Sequence, residues 1–172
     1  FDKNISEKIR VRGSASLYHN ASSGGNTLYA GDRTGSNYFM VMDAAKVMDK
    51  ASGKFVNNSA ASSFSSGRLN PGFSKKVTAV MLNGFVKAGG LELFGTYETA
   101  KGRTKTETSE RKLNQLAGDV IYRFGQSENL YLAVRYNTVN AELAGMTDEV
   151  KVNRVALAGG WFLTKNILLK AE

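Results

Sequence analysis

The chain has 172 residues, with 23 Lys+Arg against 15 Asp+Glu and a net charge of +8. Apolar residues make up 42%, which excludes wholesale disorder, and the length fits one domain. The absence of cysteine excludes disulfides, thiolate metal sites and cysteine nucleophiles. A single histidine, His19, excludes a histidine metal cluster or a multi-histidine site within this chain. No run approaches the ~18–20 apolar residues of a membrane-spanning helix.

Along the chain the hydrophobic period is two. Ile9, Val11, Gly13, Ala15 and Leu17 alternate with Arg10, Arg12, Ser14, Ser16 and Tyr18. The stretch 76–87 is less clean, with Val80, Leu82 and Val86 against Met81, Asn83, Phe85 and Lys87. Leu91, Leu93, Gly95 and Tyr97 oppose Glu92, Phe94, Thr96 and Glu98. Leu116, Gly118, Val120, Tyr122 and Phe124 oppose Ala117, Asp119, Ile121 and Arg123. Leu130, Leu132, Val134 and Tyr136 oppose Tyr131, Ala133, Arg135 and Asn137. Val155, Leu157, Gly159, Trp161 and Leu163 oppose Arg154, Ala156, Ala158, Gly160 and Phe162. Ile167, Leu169 and Ala171 oppose Leu168, Lys170 and Glu172. This predicts about seven strands of roughly ten residues, longer than the globular mode of ~5–6 and close to the ~9–11 of a tilted membrane strand.

Connector lengths alternate as well. Tight turns are expected at 88–90, 125–128 and 164–166, and longer polar connectors at 20–74, 101–112 and 140–150. Short turns at one end and long loops at the other are the layout of outer-membrane barrels. Three starts are alike: Ser6-Glu7-Lys8-Ile9, Ser127-Glu128-Asn129-Leu130 and Thr164-Lys165-Asn166-Ile167. An odd strand count and an unbroken alternation at Lys170-Ala171-Glu172 suggest a piece of a longer barrel, because single-chain bacterial barrels have even strand numbers.

Several segments resemble outer-membrane porin-like barrels of the Bacteroidota. They are Tyr29-Ala30-Gly31-Asp32-Arg33-Thr34-Gly35-Ser36, Asn70-Pro71-Gly72-Phe73 before Lys76-Val77-Thr78-Ala79, Ala117 to Phe124, and Gly159 to Glu172. Residue pattern and resemblance together give an all-β, antiparallel, up-and-down transmembrane β-barrel. The expectation is a fragment of a larger barrel, with 1–172 as one partial barrel domain and 20–74 as a long outer loop region. The expected location is the bacterial outer membrane, with the lipid bilayer and lipopolysaccharide as surroundings.

On this reading the apolar rows face lipid and the charged rows face a lumen. Pore-lining candidates are Arg10, Arg12, Lys87, Glu92, Glu98, Asp119, Arg123, Arg135, Arg154, Lys170 and Glu172. Seven are basic and four acidic, a surplus of three positive charges that would favour anions. The opposing reading is that these charges pair across strands and only order the lumen. Within 20–74, Asp32 and Arg33 are candidates for a constriction loop folded inward; an outer cap is the alternative.

The function expected is passive diffusion of small hydrophilic solutes, with anions preferred. Alternatives are a structural or adhesive barrel with a plugged lumen and a soluble, lipocalin-like ligand-binding barrel. A homo-oligomer or a larger outer-membrane complex is compatible with either membrane reading. No catalytic residue, metal or cofactor is expected: His19 beside Ser22, Ser23 and Asp32 is a weak triad. The basic residues are scattered, not gathered with aromatics in one groove, so nucleic acid is not an expected partner.

Overall fold

The computed structural model describes residues 1–24, 46–48, 52–57, 64–65 and 68–172. Asp32 and Arg33, the constriction-loop candidates, lie outside the described residues. The strands are β1 (Asp2–Ser6), β2 (Ile9–Asn20), β3 (Lys46–Met48), β4 (Phe55–Asn57), β5 (Phe64–Ser65), β6 (Arg68–Leu69), β7 (Lys76–Ala88), β8 (Leu91–Arg103), β9 (Arg111–Phe124), β10 (Leu130–Ala141), β11 (Val150–Thr164) and β12 (Ile167–Ala171). No helix is present among the described residues. Eight strands form one antiparallel, up-and-down sheet in the order β1-β2-β7-β8-β9-β10-β11-β12. The pairs β3-β4 and β5-β6 are separate small hairpins inside the 20–74 region. The large sheet is open, with β1 and β12 as its edges.

The count corrects the expected seven strands to eight. The additional one is β1, which folds back on β2 through the turn at Glu7-Lys8 and shifts register between Asn4 and Ser6. The expected connector 101–112 also shrinks to 104–110, because β8 and β9 pair out to Gly102 and Arg111. Short turns (7–8, 89–90, 125–129, 165–166) all lie at one end of the sheet. The connectors 104–110 and 142–149 lie at the other, where β2 ends at Asn20 and β7 begins at Lys76.

The register aligns the apolar rows of all neighbouring strands on one face. One row runs Val11, Val86, Leu93, Val120, Val134, Leu157. Another runs Gly13, Gly84, Gly95, Gly118, Tyr136, Val155. Aromatic side chains mark both borders of this belt: Tyr97 and Tyr136 toward the long loops, Tyr122, Phe124 and Trp161 toward the short turns. Lys3, opposite Val11 on edge strand β1, is a charged residue within it.

On the central strands β7, β8 and β9 the apolar face is the more exposed of the two, whereas toward the sheet edges the charged face is open as well, with Arg12 51% and Arg154 66% exposed. On β7, Val80, Leu82 and Val86 are exposed, whereas Met81, Asn83, Phe85 and Lys87 are half-buried. On β9, Leu116, Val120, Tyr122 and Phe124 are exposed, whereas Ala117, Asp119, Ile121 and Arg123 are half-buried. Leu17 is 70% exposed and Leu157 67%. A sheet that used its apolar face as a water-excluded core would show the opposite.

Toward the long loops the sheltered face itself becomes apolar, through Val77, Ala79, Ala100, Leu113 and Ala141. Phe73 and Leu143, from the connectors, close over these residues and are each 1% exposed. Gly102 makes room for Phe73: a Cβ there would collide with the Phe73 ring and the Lys76 carbonyl oxygen. Phe73→Ala is therefore expected to cost about 3–5 kcal/mol, the range for deleting a buried phenyl. The measurement is the urea midpoint of the refolded protein at unchanged slope. A cost below about 1 kcal/mol would mean that the capping segment does not anchor this end of the sheet.

Candidate functional site

The charged rows predicted from sequence meet on the sheltered face, nearly all in its half toward the short turns. Asp2 accepts hydrogen bonds from Arg10 Nε (2.9 Å) and Nη2 (2.7 Å) and from Arg12 Nε (2.8 Å). Lys87 Nζ lies 2.6 Å from Glu128 Oε2 and 3.7 Å from Glu92 Oε1. Glu92 also accepts from Arg123 Nε at 2.8 Å. Arg135 grips Asp119 with Nε at 2.5 Å and Nη2 at 2.7 Å, a two-pronged bond. Glu172 accepts from Lys170 Nζ at 2.9 Å and lies 3.8 Å from Arg154.

Every basic candidate thus has a carboxylate partner. Two partners, Asp2 and Glu128, were not among the sequence candidates. Asp2 sits on a strand that alternation missed, and Glu128 sits in a turn. Counting them brings the acidic side chains to six against seven basic, so the surplus on this face falls from three to one. Pairing across strands fixes long side chains against the sheet and leaves little free field.

Aromatic residues brace this array. The Arg123 guanidinium carbon lies 5.6 Å from the centre of the Tyr131 ring and 5.9 Å from that of Phe162. Tyr131 lies over Gly160, its partner across β10 and β11, where a Cβ would strike the ring. The glycine makes the approach of the ring possible, and Gly160 is buried beneath it.

Glu98 lies apart from these pairs. It lines a recess nearer the long loops, with Ser16, Tyr18, Met81, Leu113, Gln115 and Pro71. His19, at the end of β2, shares a 2.8 Å hydrogen bond with the Thr78 hydroxyl rather than with a serine. Among the described residues no group of three or more His, Asp and Glu side chains is placed to hold a metal ion.

A second cluster, unread in the sequence, ties the long connectors together. Arg111 donates from Nε to Glu107 Oε1 (2.7 Å), from Nη1 to the Glu142 carbonyl (2.7 Å) and from Nη2 to the Pro71 carbonyl (2.8 Å). Its guanidinium carbon lies 5.2 Å from the centre of the Phe73 ring. One side chain therefore joins three separate connectors over the capped end.

Comparison with protein-family models, with characterised proteins and with solved structures returns no match. The site is therefore interpreted from its own chemistry.

In the clasp, burial pushes the Glu107 carboxyl up, but the Arg111 side chain and the Thr104 backbone N–H outweigh it and hold the group below the ordinary glutamate range. A group lowered on folding stabilises fully above its unfolded value, and the gain is lost as pH falls through its folded value. Amide protection at Thr104, whose N–H donates to Glu107, corrected for intrinsic exchange, should persist below the ordinary glutamate range and fall on further acidification. Glu107→Gln should remove that step. Identical profiles for the two proteins would show that the clasp does not hold the connectors.

Proposed function

We propose that this sheet is wall material of an outer-membrane β-barrel that passes small hydrophilic solutes by diffusion. The single observation that carries the reading is that on the central strands β7, β8 and β9 the apolar face is exposed and the charged face sheltered. In lipid the cost of that arrangement disappears, because apolar side chains meet acyl chains and the paired charges meet a wet interior. The segregation of short and long connectors and the aromatic borders of the belt support the same reading. Strands of 12–15 residues in β2 and β7 to β11 are long enough for a tilted crossing. In lipid both edges need partners, so the reading requires β1 and β12 to be paired there, with each other or with further strands.

The small surplus of positive charge on the inner face makes selectivity weak, with a slight lean to anions. The segment carrying Phe73 favours a second reading, a barrel whose lumen is closed at the long-loop end and whose role is structural. A soluble ligand-binding barrel would want its apolar face inside, opposite to the exposure observed.

Planar-bilayer recording on the full chain separates these. A channel gives steady conductance steps; a closed barrel gives none while still inserting. Replacing Arg123 and Arg135 together by Gln leaves Asp119 without its partner and Glu92 with Lys87 alone, at 3.7 Å. The inner surplus of one positive charge becomes a deficit of one, and the reversal potential in a KCl gradient should move toward potassium. An unchanged reversal potential would place both arginines outside the conduction path.

A further inference from the structure

Toward the long loops the apolar face ends in a border of polar residues, among them Thr99, Asn114 and Thr138. Beyond that border the same face is basic. Lys101 on β8 and Lys112 on β9 stand directly opposite each other, and both are exposed. Like charges opposite each other on neighbouring strands destabilise the pairing. Among the described residues neither ammonium has a carboxylate within ion-pair distance, and the nearest compensation is the longer-range attraction of Glu110 for Lys101.

The acidic groups nearby are engaged elsewhere. Glu110 lies 2.6 Å from Lys76 Nζ. The Glu142 carboxylate accepts from the Lys112 backbone N–H at 2.9 Å, not from its ammonium. Arg103, opposite Lys76 in the next pair, donates to the Glu107 carbonyl at 2.8 Å. At the short-turn border the same face carries Leu91, Phe124, Leu130 and Trp161 in its strands, so the basic charge is one-sided.

Four residues separate Lys101 from Tyr97, and Lys112 from Leu116. That is about 13 Å along a strand, or roughly 10 Å along the membrane normal at a tilt near 40°. If the belt spans the hydrocarbon, this height is the headgroup layer, where lipid phosphates lie. We infer that Lys101 and Lys112 form a subsite for the phosphate of a lipid headgroup in the leaflet on the long-loop side. The inference rests on the lipid-facing reading of the apolar belt. One phosphate between the two ammoniums would turn a repulsive cross-strand pair into an attractive bridge.

The test uses the full chain refolded in dodecyl maltoside, titrated calorimetrically with dihexanoyl phosphatidic acid and, in parallel, with inorganic phosphate. The short-chain lipid should bind, and Lys101→Gln/Lys112→Gln should weaken it about tenfold, a change calorimetry resolves easily. Lys8→Gln/Lys165→Gln, the same charge loss in the short turns, should leave binding unchanged. Equal loss in both double variants, or none in the first, overturns the site. Inorganic phosphate binding as tightly as the lipid overturns the headgroup assignment in favour of a simple anion site. Insertion of each protein into phosphatidylcholine vesicles is measured alongside. A protein that inserts but shows no lysine-dependent binding defeats this inference alone. One that does not insert defeats the lipid-facing reading on which it rests.

Discussion

Leaving apolar surface in water costs about 25 cal/mol for each Å². A folded chain therefore turns such surface inward unless something other than water covers it. Here the alternation of β2 and β7 to β12 gathers most of the aliphatic side chains on one face, from Ile9 through Leu93 and Val120 to Leu169, with Phe85, Phe94, Ile121 and Phe162 among the charges on the other. On the central strands the aliphatic face is the exposed one. Its neighbours in the sheet satisfy the backbone laterally, so no polar backbone group interrupts the belt between the two edge strands. The remaining features of the molecule can be understood from this polarity: which connectors are short, where the aromatic borders fall, and why charges are kept on the sheltered side.

The sheltered side is divided along the strand axis. In the half toward the short turns, charges neutralise one another in adjacent pairs, with Arg135 on Asp119 and Arg123 on Glu92 as the best-formed. In the half toward the long connectors, Val77, Ala100, Leu113 and Ala141 replace charge with small apolar surface, and Phe73 seals it. Arg111 is the polar counterpart of Phe73, because beside that ring it satisfies carbonyl groups of two connectors. A wet, ordered stretch thus meets a dry, capped one within the length of a single strand.

Much of this was legible in the sequence because strand alternation is a local signal. The rows 91–98, 116–124, 130–137 and 154–163 place each side chain on its observed face, and the pairing register then follows from apolar rows seeking apolar neighbours. β1 was not legible, since a register shift between Asn4 and Ser6 breaks its period and Lys3 stands where an apolar residue would be expected. Missing β1 also hid Asp2, and with it the partner of Arg10 and Arg12. The ends of β8 and β9 read as loop because Lys101, Gly102 and Arg103 are polar, although they continue the ladder toward Arg111 and Lys112. The clasp at Arg111 joins residues from 71 to 142, a separation over which no local pattern carries information. The segment Asn70-Pro71-Gly72-Phe73 did offer one clue: an aromatic held by a proline-glycine turn just before a strand.

The chain has one tryptophan, Trp161, and it stands on the apolar face at the border toward the short turns. It is 52% exposed. Its fluorescence in phosphatidylcholine vesicles brominated at shallow acyl positions is the most direct measurement of what that face meets. The account predicts blue-shifted emission, strong quenching by the brominated lipid and protection from aqueous acrylamide. Emission quenched by acrylamide and indifferent to bromine, from a protein that stays dispersed without detergent, would contradict it.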